Sequence, residues 1–116
     1  MGIAKLRFYK RDDISLLLVR QDGDGAAVDI TGYTYFFTMK TLRDDTDADA
    51  LIQKVVTAHT DPTNGKTTIS IDAADTASIA PGAYFYDIQE KDTSGNIMTW
   101  TSDTFQLEQD ITVTTS

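Results

Sequence analysis

Three aspartates at alternate positions, Asp45, Asp47 and Asp49 in "RDDTDADALIQK" (43–54), come nearest in residue type and spacing to doing chemistry. Carboxylates at positions one, three and five open a calcium loop. Such a loop also needs a glycine at position six for its sharp turn and a glutamate at position twelve as a bidentate ligand. Counted from Asp45 those places hold Ala50 and Val56, which excludes an EF-hand. The spacing still allows a looser structural site in which Asp45, Asp47 and Asp49 act with backbone carbonyls. The plainer reading is a hydrated acidic connection between two elements.

Other reactive constellations are sparse. The single histidine, His59, sits in the turn "AHTDP" with no nucleophile context, and is read as a solvent-exposed turn residue. Most of the 18 acidic side chains lie in turns, where hydration explains them without a glycosidase pair. No phosphate loop or dinucleotide fingerprint is present, and with no cysteine there is no thiolate for zinc or redox chemistry. The expectation is a non-enzymatic protein with no catalytic residue and no cofactor. The aromatic residues Tyr33, Tyr35, Phe36, Tyr84, Phe85, Tyr86 and Trp100 are numerous enough to raise sugar stacking, although core packing is their commoner use in β proteins.

Charge narrows the partners. A formal net charge of −8 repels phosphate backbones and removes the electrostatic attraction that dominates nucleic-acid binding. The one basic concentration, Lys5, Arg7, Lys10 and Arg11, reads as a solvated strand face. The amino-terminal sequence spreads its charges and lacks an apolar run, so neither a signal peptide nor a spanning helix is expected, and no membrane partner. Folding in a cytoplasm follows as the simpler expectation.

The elements that position these residues are β-strands. Segments rich in β-branched and aromatic residues recur about every ten residues between Gly, Asp, Asn and Pro, the pattern of an antiparallel all-β domain. Residues 6–9 and 14–20 come first. The second has apolar residues on both faces, Ile14, Leu16 and Leu18 against Leu17 and Val19, which suits a strand covered on both sides or one at an interface. "YTYFFTMKT" (33–41) is the strongest strand, with Tyr35, Phe37 and Met39 on one face. Residues 51–56 fit either a strand or a helix; the strand is favoured by Val55-Val56-Thr57, and it is expected to form a hairpin with "TTISI" across the Asp-Pro and Asn-Gly turn. Asp72 or Asp75 can cap one helical turn in "DAADTASIAPG", after which "AYFYDIQEK", "IMTWT" and "TFQLEQ" supply the last strands. The expected fold is an all-β, immunoglobulin-like antiparallel β-sandwich of seven or eight strands with one short helical crossover. It spans 1–116 as one domain, with an arm at 110–116 available to a partner.

The run "LLLVRQDGDGAAVDITGYTYFFTMK" and the later "TDPTNGKTTISIDAADTASIAPGAYFYDIQEKDTSGNIMTWTSDTFQLEQDIT" together resemble the immunoglobulin-like domain at the start of phage baseplate upper proteins. The likeness covers nearly the whole chain and is carried by turn chemistry and strand pattern. Baseplate upper proteins continue into a long second region, whereas this sequence stops at Ser116, which suits a free-standing small virion protein or an excised domain. The resemblance implies a structural module of a tailed-phage virion, in the tail, baseplate or head decoration, that packs against other virion proteins as a homo-oligomer after folding in the host cytoplasm. The contacts expected for that role are Arg7, Phe8 and Tyr9 on the first strand, Trp100, and Ile111 and Val113 near the end. The alternative is a carbohydrate-binding or adhesin module that stacks sugars on Trp100 and surface tyrosines.

Overall fold

The structure, a computed structural model, describes residues 6–42 and 47–109. Seven strands follow in chain order: β1 (Leu6–Tyr9), β2 (Ile14–Val19), β3 (Thr34–Lys40), β4 (Ile52–Val56), β5 (Lys66–Ile71), β6 (Gly82–Lys91) and β7 (Ile97–Glu108). One short helix, α1 (Ala73–Thr76), crosses between β5 and β6, and single 3-10 turns occupy Asp47–Asp49 and Pro62–Asn64. The all-β sandwich with one helical crossover is therefore the fold that forms. Its layers are unequal: a five-stranded sheet ordered β1-β7-β6-β3-β4 curls as a half-barrel over a two-stranded sheet, β2-β5. Neighbours run antiparallel except β1, which lies parallel to β7 with Leu6 opposite Phe105 and Phe8 opposite Leu107.

Period-two alternation sends one residue in two to the interior. Tyr35, Phe37 and Met39 of β3, Tyr86 and Ile88 of β6, and Phe105 and Leu107 of β7 meet Ile14, Leu16 and Leu18 of β2 and Ile69 and Ile71 of β5. Each such side chain contributes about 1.5–3 kcal/mol by leaving water. Phe37 stacks on Tyr86 with centroids 5.6 Å apart, and Phe105 meets both rings edge-on. On β2 the opposite row stays outside, with Leu17 56% and Val19 38% exposed.

Residues 52–56 settle as a strand, pairing with β3 from Met39↔Ile52 to Tyr35↔Val56. The hairpin expected between this segment and β5 does not form, because β5 pairs instead with β2 in the other sheet. The cause lies in the turn between them. Its 3-10 geometry is tied to the 20–30 loop by Ile30 N–H donating to the Pro62 carbonyl at 2.9 Å and Arg20 N–H to the Gly65 carbonyl at 2.7 Å, which carries the chain across to the second layer. Gly65 lies at φ 74°, and a Cβ there would collide with the Arg20 carbonyl oxygen.

The α1 cap forms where expected, with Asp72 as the N-cap in a capping box with Asp75. Asp13, just before β2, accepts the Ala73 N–H at 2.9 Å, while Asp75 reaches back to the Asp72 N–H at 2.7 Å and pairs with Lys54 at 2.8 Å. Across the same junction Arg11, at φ 65°, donates its N–H to the buried Thr76 hydroxyl at 2.9 Å.

Candidate functional site

The most concentrated set of polar side chains in the interior gathers on Glu90. Position 90 has the same inward parity on β6 as Tyr86 and Ile88, so a carboxylate stands in the core, 4% exposed. Such a charge is tolerated only when paired and hydrogen-bonded. Arg20, just after β2, places its Nε 3.1 Å from Glu90 Oε1 and anchors its own Nη1 on the Gln21 carbonyl at 2.7 Å. Tyr35 of β3, the direct cross-strand neighbour of Glu90, donates its hydroxyl to Oε1 at 2.8 Å. Trp100 of β7 donates its indole N–H to the same oxygen at 3.1 Å. Burial first, then the hydrogen bond to Glu90 and its negative charge, push the Tyr35 phenol far above its ordinary value. The phenol therefore acts as a fixed donor.

A bulge delivers Trp100 to this cluster. The β6–β7 register runs Ile88↔Thr101 and then Gln89↔Thr99, so Trp100 is the extra residue. Without it, the parity that sends Phe105 and Leu107 inward would turn Trp100 outward. Its ring meets Tyr35 edge-on at 5.8 Å.

His59 corrects the reading of an exposed turn residue. It is half-buried, with Nε2 2.8 Å from the Tyr33 carbonyl and Nδ1 2.9 Å from the Thr67 hydroxyl, and its ring stands edge-on to Tyr35 at 5.6 Å. A carbonyl can only accept, so Nε2 carries a proton. Since Thr67 belongs to β5 and Tyr33 leads into β3, the imidazole ties the two layers together. Arg20 and Glu90 do the same beside it. The chemistry of this arrangement is cross-linking of the two sheets.

A second feature lies on the opposite, outer face of the five-stranded sheet: an open groove of about 520 Å³ lined by Phe36 and Thr38 of β3, Phe85 and Gln89 of β6, and Ile97 of β7, among others. Lys40, Asp87 and Lys91 also border it.

The residues singled out from sequence are dispersed. Arg7 and Tyr9 point outward from the edge strand β1, Arg7 with its Nε 3.3 Å from Glu108 Oε1 and Tyr9 50% exposed. Phe8 turns inward and packs against Phe105 at 5.8 Å, so it shares no surface with them. The basic cluster is divided too, since Lys10 is only 8% exposed. Trp100 is half-buried in the Glu90 cluster. Ile111, Val113, the 110–116 arm and Asp45 lie outside the described residues. Of the other two aspartates, Asp47 opens a 3-10 turn and Asp49 is exposed; among the described residues no three His, Asp or Glu side chains gather as a metal site.

Sequence reading missed Arg20, Thr67 and Glu90. Glu90 carried a signal: a charged residue in phase with the inward row of "AYFYDIQEK".

No protein-family model and no curated protein matches the chain. Among solved structures it is similar to the N-terminal domain of phage TP901-1 ORF48, with 20% sequence identity and a TM-score of 0.44, over 94% of this chain and 85% of that one.

Proposed function

We propose that the chain is a non-enzymatic structural module of a tailed-phage virion, acting by docking against other virion proteins. The observation that carries this reading is the sequence pattern quoted above, from "VDITG" and the aromatic strand to "PGAYFYDIQ" and the "DTSGN" turn, which resembles the first domain of baseplate upper proteins. The Glu90 cluster fits the role, since its carboxylate is taken up by donors that join the sheets. Docking runs through surface rows such as Arg7 and Tyr9 on β1, in homo-oligomers that assemble after folding in the host cytoplasm. Affinity capture from a phage lysate, with the full chain as bait, tests this: tail, baseplate or head proteins should be recovered at fixed stoichiometry. Recovery of no virion protein would count against it.

A carbohydrate-binding reading is favoured by one observation, the outer groove. Half-buried Phe36 and Phe85 there stand beside amide and hydroxyl side chains, the mixture that receives a sugar ring. Glycan-array binding lost in Phe36→Ala would support it, and a silent array would remove it.

A further inference from the structure

The two-stranded sheet leaves one edge that nothing among the described residues protects. Arg20 N–H bonds to the Gly65 carbonyl, and the β2–β5 register continues from that pair through Leu18↔Thr67, Leu16↔Ile69 and Ile14↔Ile71. Antiparallel ladders alternate bonded and non-bonded pairs, so the N–H and C=O groups of Ser15, Leu17 and Val19 point away from β5. The same three residues carry the outward side chains, and all three are exposed.

The other edges are each managed. On β1, Arg7 is ion-paired to Glu108 and the Tyr9 carbonyl accepts the Asp12 N–H at 3.4 Å. On β4, Lys54 is paired to Asp75. On β5, Lys66 exchanges backbone bonds with Asp61, and the Thr68 hydroxyl bonds that of Thr60 at 2.8 Å. β2 has six residues with no proline, glycine or charged side chain, the kind of edge that natural proteins otherwise cover.

Charge indicates what covers it. In a chain of net charge −8, the outer rows of β2 and β5 hold Ser15, Leu17, Val19, Lys66, Thr68 and Ser70, with no carboxylate. Another copy of this acidic chain can approach there without facing a row of like charge. An antiparallel two-fold also sets the Asp13 side chains of the two copies at opposite ends of the contact.

We propose that β2 is a self-association edge: two copies pair β2 with β2 antiparallel about a two-fold axis at Leu17, joining their two-stranded sheets into one continuous sheet. Ser15 of each copy then lies opposite Val19 of the other, and the Leu17 side chains meet on one face. This is a property of the isolated chain and stands apart from the virion reading.

Sedimentation of the full chain over a wide concentration range, with amide hydrogen exchange at both extremes, tests it. A dimer should form as concentration rises, and the Ser15, Leu17 and Val19 amides should slow only in the dimer. Leu17→Lys should weaken dimerisation by about tenfold or more, whereas Val55→Lys, at an exposed residue of β4, should leave it unchanged. Val19→Lys gives the same reading should Leu17→Lys fail to fold. A chain that remains monomeric throughout, a dimer whose Leu17 amide stays fast-exchanging, or a dimer broken by Val55→Lys and not by the β2 variants would overturn the proposal.

Discussion

The hydroxyl of Tyr35 donates to Glu90 Oε1 at 2.8 Å, between two residues that face each other across β3 and β6. Arg20 and Trp100 converge on the same carboxylate from the other layer and from β7. Removing the acceptor therefore strands three donors at once. Glu90→Ala should cost about 3–5 kcal/mol in chemical unfolding, and Tyr35→Phe about 1 kcal/mol, because Glu90 keeps its other partners. The double variant should cost less than the sum. Trp100, the only tryptophan, gives a fluorescence readout inside the cluster. Additive losses would mean that Tyr35 and Glu90 are energetically independent.

Gly65 turns the chain from one layer to the other at φ 74°, hard against the Arg20 and Val28 carbonyls. Gly65→Ala combines a left-handed backbone with a steric clash and should cost at least about 1–3 kcal/mol. Gly25→Ala shares the positive φ but has open space around it, and should cost less. Equal melting temperatures for the two variants would remove the role given to close packing at this turn.

The N–H of Arg11 is held by the fully buried Thr76 hydroxyl. Thr76→Val keeps the shape and removes the acceptor, for an expected loss of about 1–3 kcal/mol. Thr76→Ser keeps the bond and should retain more of the stability. The comparison by denaturant titration separates the hydrogen bond from the packing.

Several carboxylates tie stability to pH. Lys54 holds Asp75 below the ordinary value of 3.8, and the turn bonds from Asn96 and Thr31 do the same for Asp92 and Asp29. Because these values are depressed by folding, their contribution is present above 3.8 and is lost as pH falls through the lowered values. Melting temperature should drop in that acid range, and Asp75→Asn should flatten part of the drop. An unchanged acid profile in Asp75→Asn would show that the Lys54 pair does not couple to folding.

Much of the fold is legible because it depends on local chemistry. The 22–26 and 92–96 turns are built alike: an aspartate carboxylate accepts two N–H groups, with glycine at positive φ in the fourth place, and both announce themselves as Asp-x-x-Gly. The inward rows of β3, β6 and the end of β7 follow simple alternation. Sheet membership is less legible. Asn64-Gly65 suggests a hairpin, whereas the turn is tied to Arg20 and Ile30 and β5 pairs with β2 in the other layer. The partners of Glu90 are hidden for a related reason, because Arg20 and Tyr35 stand 70 and 55 residues away in sequence. The bulge that turns Trp100 inward leaves no mark in "IMTWTSDTF" that separates it from an uninterrupted strand.

The central claim, a structural part of a phage particle, is tested most directly by composition. Particles purified from a lysate of the host that encodes this chain should contain it at constant copy number relative to the tail proteins, with immunogold label confined to one part of the particle. Intact particles that lack the chain, while it accumulates free in the lysate, would contradict the account.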